Sequence, residues 1–163
     1  MSIHTVDALA HSNPALSALV IYSFVSGFQK ENETGPHFAL AFLPVPVALS
    51  RPLAATFEGT QGRTGLHLWL ERRPWVRLEL AEHLRDAKRI SRAGLMFGLQ
   101  RQVFSLDDSG HLSAQPKRLL REPRDPSGLD IAERPHAVAT RFGVWCAQLP
   151  DAAAVFTALE VAP

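Results

Sequence analysis

From Pro14 to Phe28 the chain is apolar on nearly every side of the helix it encodes. Asn13 can cap the free N–H groups at the start, and Pro14 is preorganised for the first helical position. Leu16, Leu19, Val20, Phe24 and Phe28 recur at spacings of three and four, while Ile21, Tyr22 and Val25 fill the flank. Ser17 breaks the run early, and Ser23, Ser26 and Gly27 interrupt this coat with a stripe of small residues. A helix apolar nearly all round sits either at the centre of a core or against a second chain. The rest of the sequence must therefore cover the segment 13–30, or a partner must.

The remaining material is enough for a core. A length of 163 residues fits one domain, 1–163, and 46% hydrophobic against 20% charged residues suits a folded chain. A net charge of +1 excludes a polyanion binder driven by bulk charge. The single Cys146 excludes a disulfide framework and any Cys-rich zinc module. Met1–Ala10 lacks the basic segment and apolar run of a secretory signal. The apolar stretches 14–28 and 38–49 fall short of the roughly 20 residues of a membrane span. The expectation is a cytoplasmic protein with no membrane partner.

Proline and glycine divide the rest of the chain. Pro44 and Pro46 within Phe38–Leu49 forbid a regular central strand or an unbroken helix, so a helical turn and an extended stretch are expected. Gly59, Gly62 and Gly65 read as turn chemistry. Leu66–Arg73 is predicted as a short helix, and Pro74 opens another to about Ala87 with Val76, Leu80 and Leu84 inward. Ser91 can cap a third, Arg92 to about Gln102, with Leu95, Met96, Leu99 and Val103 inward. The alternation at 103–106 and 111–113 around Asp107-Asp108-Ser109-Gly110 signals a β-hairpin. The predicted fold is mainly α with a small β-hairpin, its segment 66–115 resembling a winged helix. A Pro-rich basic connector, 116–128, leads to C-terminal helices at 130–160, with Cys146 on an apolar face and Asp151 as a cap.

No catalytic constellation is present in the sequence. The seven histidines, at 4, 11, 37, 67, 83, 111 and 136, have no His-x3-His pair and no metal-binding helix motif. Nucleophile elbows, phosphate-binding loops and dinucleotide fingerprints are missing, so no metal and no cofactor are expected and the reading is a non-enzyme. Charge is the residual signal. Between Arg63 and Arg124, 13 Lys or Arg stand against 7 Asp or Glu, giving +6 there and −5 elsewhere. Gly94 and Gly98, one turn apart, read no bases; they admit another backbone. Leu16, Val20, Phe24, Gly94 and Gly98 are therefore candidates for a partner interface, and Gly98→Leu is expected to block assembly while sparing the fold. Arg89, Arg92, Arg101, Lys117 and Arg118 are candidates for non-specific contacts to the phosphates of double-stranded DNA.

Four segments in order carry a family resemblance: Asn13-Pro14-Ala15 leading to Gly27-Phe28, Leu40–Val47, Leu66–Glu71 with Pro74, and Leu95–Gln100. Together they resemble the middle component of three-component ABC systems, as in Lamassu-type bacterial defence operons. The resemblance implies a non-catalytic adaptor beside an SMC- or Rad50-like ABC ATPase and an effector, often a nuclease. It implies no catalytic residues. A free-standing winged-helix DNA-binding regulator is the alternative, and an enzyme with a dispersed active site is a third class without support in the residues.

Overall fold

In the computed structural model, which describes residues 13–119, 121 and 123–163, the apolar helix α1 (Pro14–Gln29) is the centre of the chain's own core. Asn13 caps it as expected, its side chain accepting from the Leu16 N–H at 3.2 Å. Ile21, Phe24 and Val25 are fully buried. The choice between core and second chain is thus settled inside one chain. Met1–Ala10, His4 and His11 lie outside the described residues.

Beyond α1, a 3-10 turn at Phe38–Phe42 leads into α2 (Pro44–Leu49) and α3 (Arg51–Ala55). The extended stretch expected near Pro44 and Pro46 is helical instead. Both prolines fall in the first turn of α2, where the N–H groups they lack would have no intrahelical partner. Every residue of α2 is buried. After a glycine-punctuated loop come α4 (Gly65–Arg72) and the long α5 (Val76–Gln100).

Helix α5 corrects the helix-turn-helix expected at 74–102. Its 25 residues run without a break, and Ser91 is a buried mid-helix residue rather than a cap. The physical reason is the inward ladder. Val76, Leu80, Ala87, Ile90, Ser91, Gly94, Leu95 and Gly98 are all buried and keep one helical phase throughout. No Gly or Pro stands between Ala87 and Ile90 to break it. Met96, expected inward, is instead 49% exposed, because Leu95 and Leu99 take the buried side of that turn.

The helix stops in a Schellman motif. The Val103 N–H donates to the Gly98 carbonyl at 2.9 Å and the Gln102 N–H to that of Leu99 at 3.1 Å, with Gln102 left-handed at φ 57°. This reversal launches the hairpin β1 (Phe104–Leu106) and β2 (Leu112–Ala114), antiparallel, with Phe104 opposite Ala114 and Leu106 opposite Leu112. The far edge is covered by the chain's own segment after α1. The Leu112 N–H donates to the Pro36 carbonyl and the Phe38 N–H to that of Gly110, both at 2.8 Å. The edge is thus closed to a foreign strand.

A 3-10 turn at Pro116–Arg118 opens the basic connector, and another at Ile131–Glu133 precedes α6 (Pro135–Ala147) and α7 (Ala152–Leu159). Asp151 caps α7 as predicted, accepting from the Ala154 N–H at 2.8 Å. Helices α5 and α6 flank α1. Small residues mark both crossings: Gly27 meets the Thr140 backbone, Gly143 meets that of Phe24 and Phe28, and Gly94 meets Ser17. An aromatic cluster fills the other end, where Phe57 stacks on Trp145 at 4.9 Å and Trp69 donates its indole N–H to Thr56 at 2.9 Å. Among the described residues no single helix is long and apolar enough to cross a membrane. The pair α6 and α7 passes that test of length and composition only together, and is bent by 112°.

Candidate functional site

The five residues expected to receive a partner are used within the chain. Val20 and Phe24 are 2% and 0% exposed, and Leu16 packs half-buried against the same core. A Cβ on Gly94 would stand 2.5 Å from that of Ser17 on α1. One on Gly98 would run into the Phe104 ring of the hairpin. The glycines do admit close neighbours, as the sequence suggests, but those neighbours are α1 and β1. A Leu at Gly98 would have to displace the Phe104 ring, so the geometry speaks for a cost to the fold where the sequence suggests none.

The surface that remains is the outer face of α5. At 100° per residue, Leu78, Arg85, Lys88, Arg89, Arg92 and Met96 fall within about 100° of one another. All six are exposed, Leu78 at 72% and Met96 at 49%. The stripe is about 27 Å long from Leu78 to Met96 at 1.5 Å per residue. None of its four cations has a carboxylate within the 4 Å of an ion pair among the described residues. All four are exposed to water, with Glu82 and Asp86 one turn from Arg85 and Arg89 on the same helix.

The candidate phosphate contacts divide into two groups. Arg89 and Arg92 share the α5 stripe. Arg101 stands on another side of the helix end, its guanidinium 5.1 Å from the centre of the Phe97 ring. Lys117 and Arg118 are exposed in the 3-10 turn that follows β2. The Gln115 N–H donates to the Val103 carbonyl at 2.8 Å, which fixes that turn beside the end of α5. Leu78, Arg85, Lys88 and Met96 were not among the sequence candidates. Leu78 could have been found there, since it falls out of phase with Val76, Leu80 and Leu84 and so points an apolar side chain away from the core.

Groups of chemical interest elsewhere are held quietly. Cys146 is 1% exposed on the inner side of α6, where burial pushes its thiol well up and suppresses the thiolate. Asp107 and Asp108 lie in the hairpin turn. The Asp107 carboxylate accepts from the N–H groups of Ser109 and His111, each at 2.9 Å. The His111 bond is the main cause holding that carboxyl below its ordinary range. No group of three or more His, Cys, Asp or Glu among the described residues is arranged to hold a metal ion.

A second feature lies on α6. Arg134, His136, Thr140, Arg141 and Val144, with Gly62 from the loop opposite, wall an open cleft of about 370 Å3. Arg141 donates to the Thr60 carbonyl at 2.8 Å and to the Thr60 hydroxyl at 3.1 Å. Burial, and then the charge of Arg134, hold its guanidinium below the usual range. A larger groove of about 660 Å3 lies between α3 and the Ile131–Glu133 turn, its polar wall mixing Arg51 with Glu58, Asp130 and Glu133.

No curated protein and no solved structure matches the chain significantly. The family described as ABC-three component (ABC-3C) system Middle Component 3 matches residues 4–163. That span covers the four segments that carried the resemblance and nearly the whole chain. The protein is a member of the Middle Component 3 family of ABC-three component systems.

Proposed function

We propose that this chain is a non-catalytic adaptor in a three-component ABC system of the Lamassu type. It docks on an SMC- or Rad50-like ABC ATPase and couples the sensing of foreign DNA to an effector subunit. The observation that carries this reading is the α5 stripe, where Leu78 and Met96 bracket Arg85, Lys88, Arg89 and Arg92 on the outer face of a rigid helix. Apolar anchors with guanidinium neighbours are the composition of an interface core rather than of an inert solvated face. A continuous helix anchored along its inner side presents such a stripe with little ordering cost on binding.

Double-stranded DNA, where it is engaged, meets Arg89, Arg92, Arg101, Lys117 and Arg118 through phosphates and without sequence preference. The interior is already spent on α1, α5 and α6, so partners use the outside of the chain.

The test is co-expression with the operon neighbours, affinity purification and sizing of the complex. Stable co-elution with the ATPase is the expected result. Leu78→Asp and Met96→Asp should abolish it while shifting the stability of the isolated chain by no more than about 0.5 kcal/mol, the range for surface substitutions. A folded chain that ignores its neighbours, or that retards duplex DNA alone as a homodimer, overturns the adaptor reading.

A further inference from the structure

We propose that the outer face of α5 receives one long α-helix of the partner, laid along it in coiled-coil fashion and acidic over its middle. The inference rests on the adaptor reading and names the kind of partner segment that docks there. From Trp75, whose backbone angles are already helical just before α5, the exposed residues Leu78, Glu82, Arg85, Arg89, Arg92 and Met96 follow at alternating steps of three and four. That alternation averages about 3.5 residues, the spacing of a and d positions in a heptad seam. At 100° per residue the whole row stays within about 100° of arc, over a length of about 31 Å.

Spacing alone does not make a seam, since any solvent face opposite a buried ladder repeats in the same way. What marks this row is its two ends. Trp75, Leu78 and Met96 are 44%, 72% and 49% exposed, three of the seven large apolar side chains that the described residues leave outside. They stand at both ends of the row, with charge between them. A heptad helix of a partner can cover both ends at once, because its own a and d side chains keep the same step over the same length. Burial of the apolar ends supplies affinity, and the charged centre sets register and choice of partner.

The centre says which charge the occupant carries. Between Leu78 and Met96 the exposed charged residues are Arg85, Lys88, Arg89 and Arg92 against Glu82 and Asp86. Glu82 stands three residues before Arg85 and Asp86 three before Arg89, so each offsets its arginine in part. Lys88 and Arg92 have no carboxylate three or four residues away on either side. Carboxylates on a facing helix would meet that excess. A second copy of α5 fits poorly. Laid antiparallel with Leu78 on Met96, it sets Arg85 against Arg89 in both central layers; laid parallel, it sets each arginine against itself. Duplex DNA would meet the cations, but its phosphates give Trp75, Leu78 and Met96 nothing to bury against.

The experiment is photo-cross-linking in the complex co-expressed with the operon neighbours, with p-benzoylphenylalanine in place of Leu78 or of Met96 and the linked peptides identified by mass spectrometry. Both probes are expected to land on one partner helix, at sites about 18 residues apart with Asp or Glu between them. Arg92→Glu should weaken the affinity of the complex about tenfold or more, and reversing the facing partner carboxylate to Lys should restore it. Melting of the isolated chain should not change, because Arg92 is exposed. A complex whose two cross-links fall on separate segments, on a second copy of this chain or on DNA overturns the helical partner and leaves the adaptor reading standing. An unchanged affinity in Arg92→Glu overturns its acidic character. No complex at all overturns this inference and the adaptor reading together.

Discussion

Gly94 and Gly98 show what a single hydrogen in place of a side chain does here. Each sits on the buried side of α5, Gly94 against Ser17 and Gly98 against the far end of the Phe104 ring. Gly98→Leu should lower stability by about 1–3 kcal/mol or more, since overpacking a filled core displaces its neighbours. Denaturant unfolding of the purified variant measures this, and a change within about 0.5 kcal/mol would show that the hairpin can retreat. Spacing announces that a neighbour comes close to these glycines. It does not say whether that neighbour is backbone or side chain, or whose, because an α-carbon leaves the same gap for its own chain as for a stranger.

At the scale of elements, the hairpin turn carries a pH dependence. The Asp107 carboxylate binds two N–H groups of its own turn and is held low, so its contribution is present above the ordinary value of 3.8 and fades as pH falls through the lower folded value. Amide protection at Ser109 and His111 should therefore decline in strongly acidic solution, and Asp107→Asn should remove that pH dependence. Hydrogen exchange across this range checks it. The N-cap of α7 gives a second expectation: Asp151→Ala should cost about 1 kcal/mol, read as a fall in melting temperature. Both elements are legible in the sequence because their signals are local. The turn is written in Asp107 and Gly110, the cap in Asp151 after Pro150. Helix α5 reads as two helices in the sequence because Ser91 is a good cap in isolation, although the inward ladder at 87, 90, 91 and 94 never loses phase.

For the molecule as a whole, α1 is the element that everything else covers. Phe24 is fully buried, with the Phe142 ring of α6 at 5.7 Å and that of Phe28 at 6.3 Å. Phe24→Ala should cost about 3–5 kcal/mol, a large part of the roughly 5–15 kcal/mol available to a typical domain. Because one cluster of buried residues links α1, α5, α6 and the hairpin, the loss should appear as one cooperative transition shifted to lower denaturant. Two separate transitions would show that the hairpin or α7 unfolds independently.

Taken alone, the sequence determined the elements whose causes lie within a few residues: the capped apolar helix, the hairpin and its turn, the capped last helix and the mainly helical class. It also carried the ordered segments by which the family is recognised. Tertiary structure decided what those elements face. It turned α1 and the glycines of α5 inward, drew Pro44 and Pro46 into one helical turn, and left Leu78 and Met96 outside. It also brought Arg134 and Arg141 together with the 60–62 loop, which lies far from them in sequence. The division has a physical reason. Caps, turns and helical phase are set by contacts between near neighbours, whereas burial depends on which surfaces meet once the chain has closed on itself.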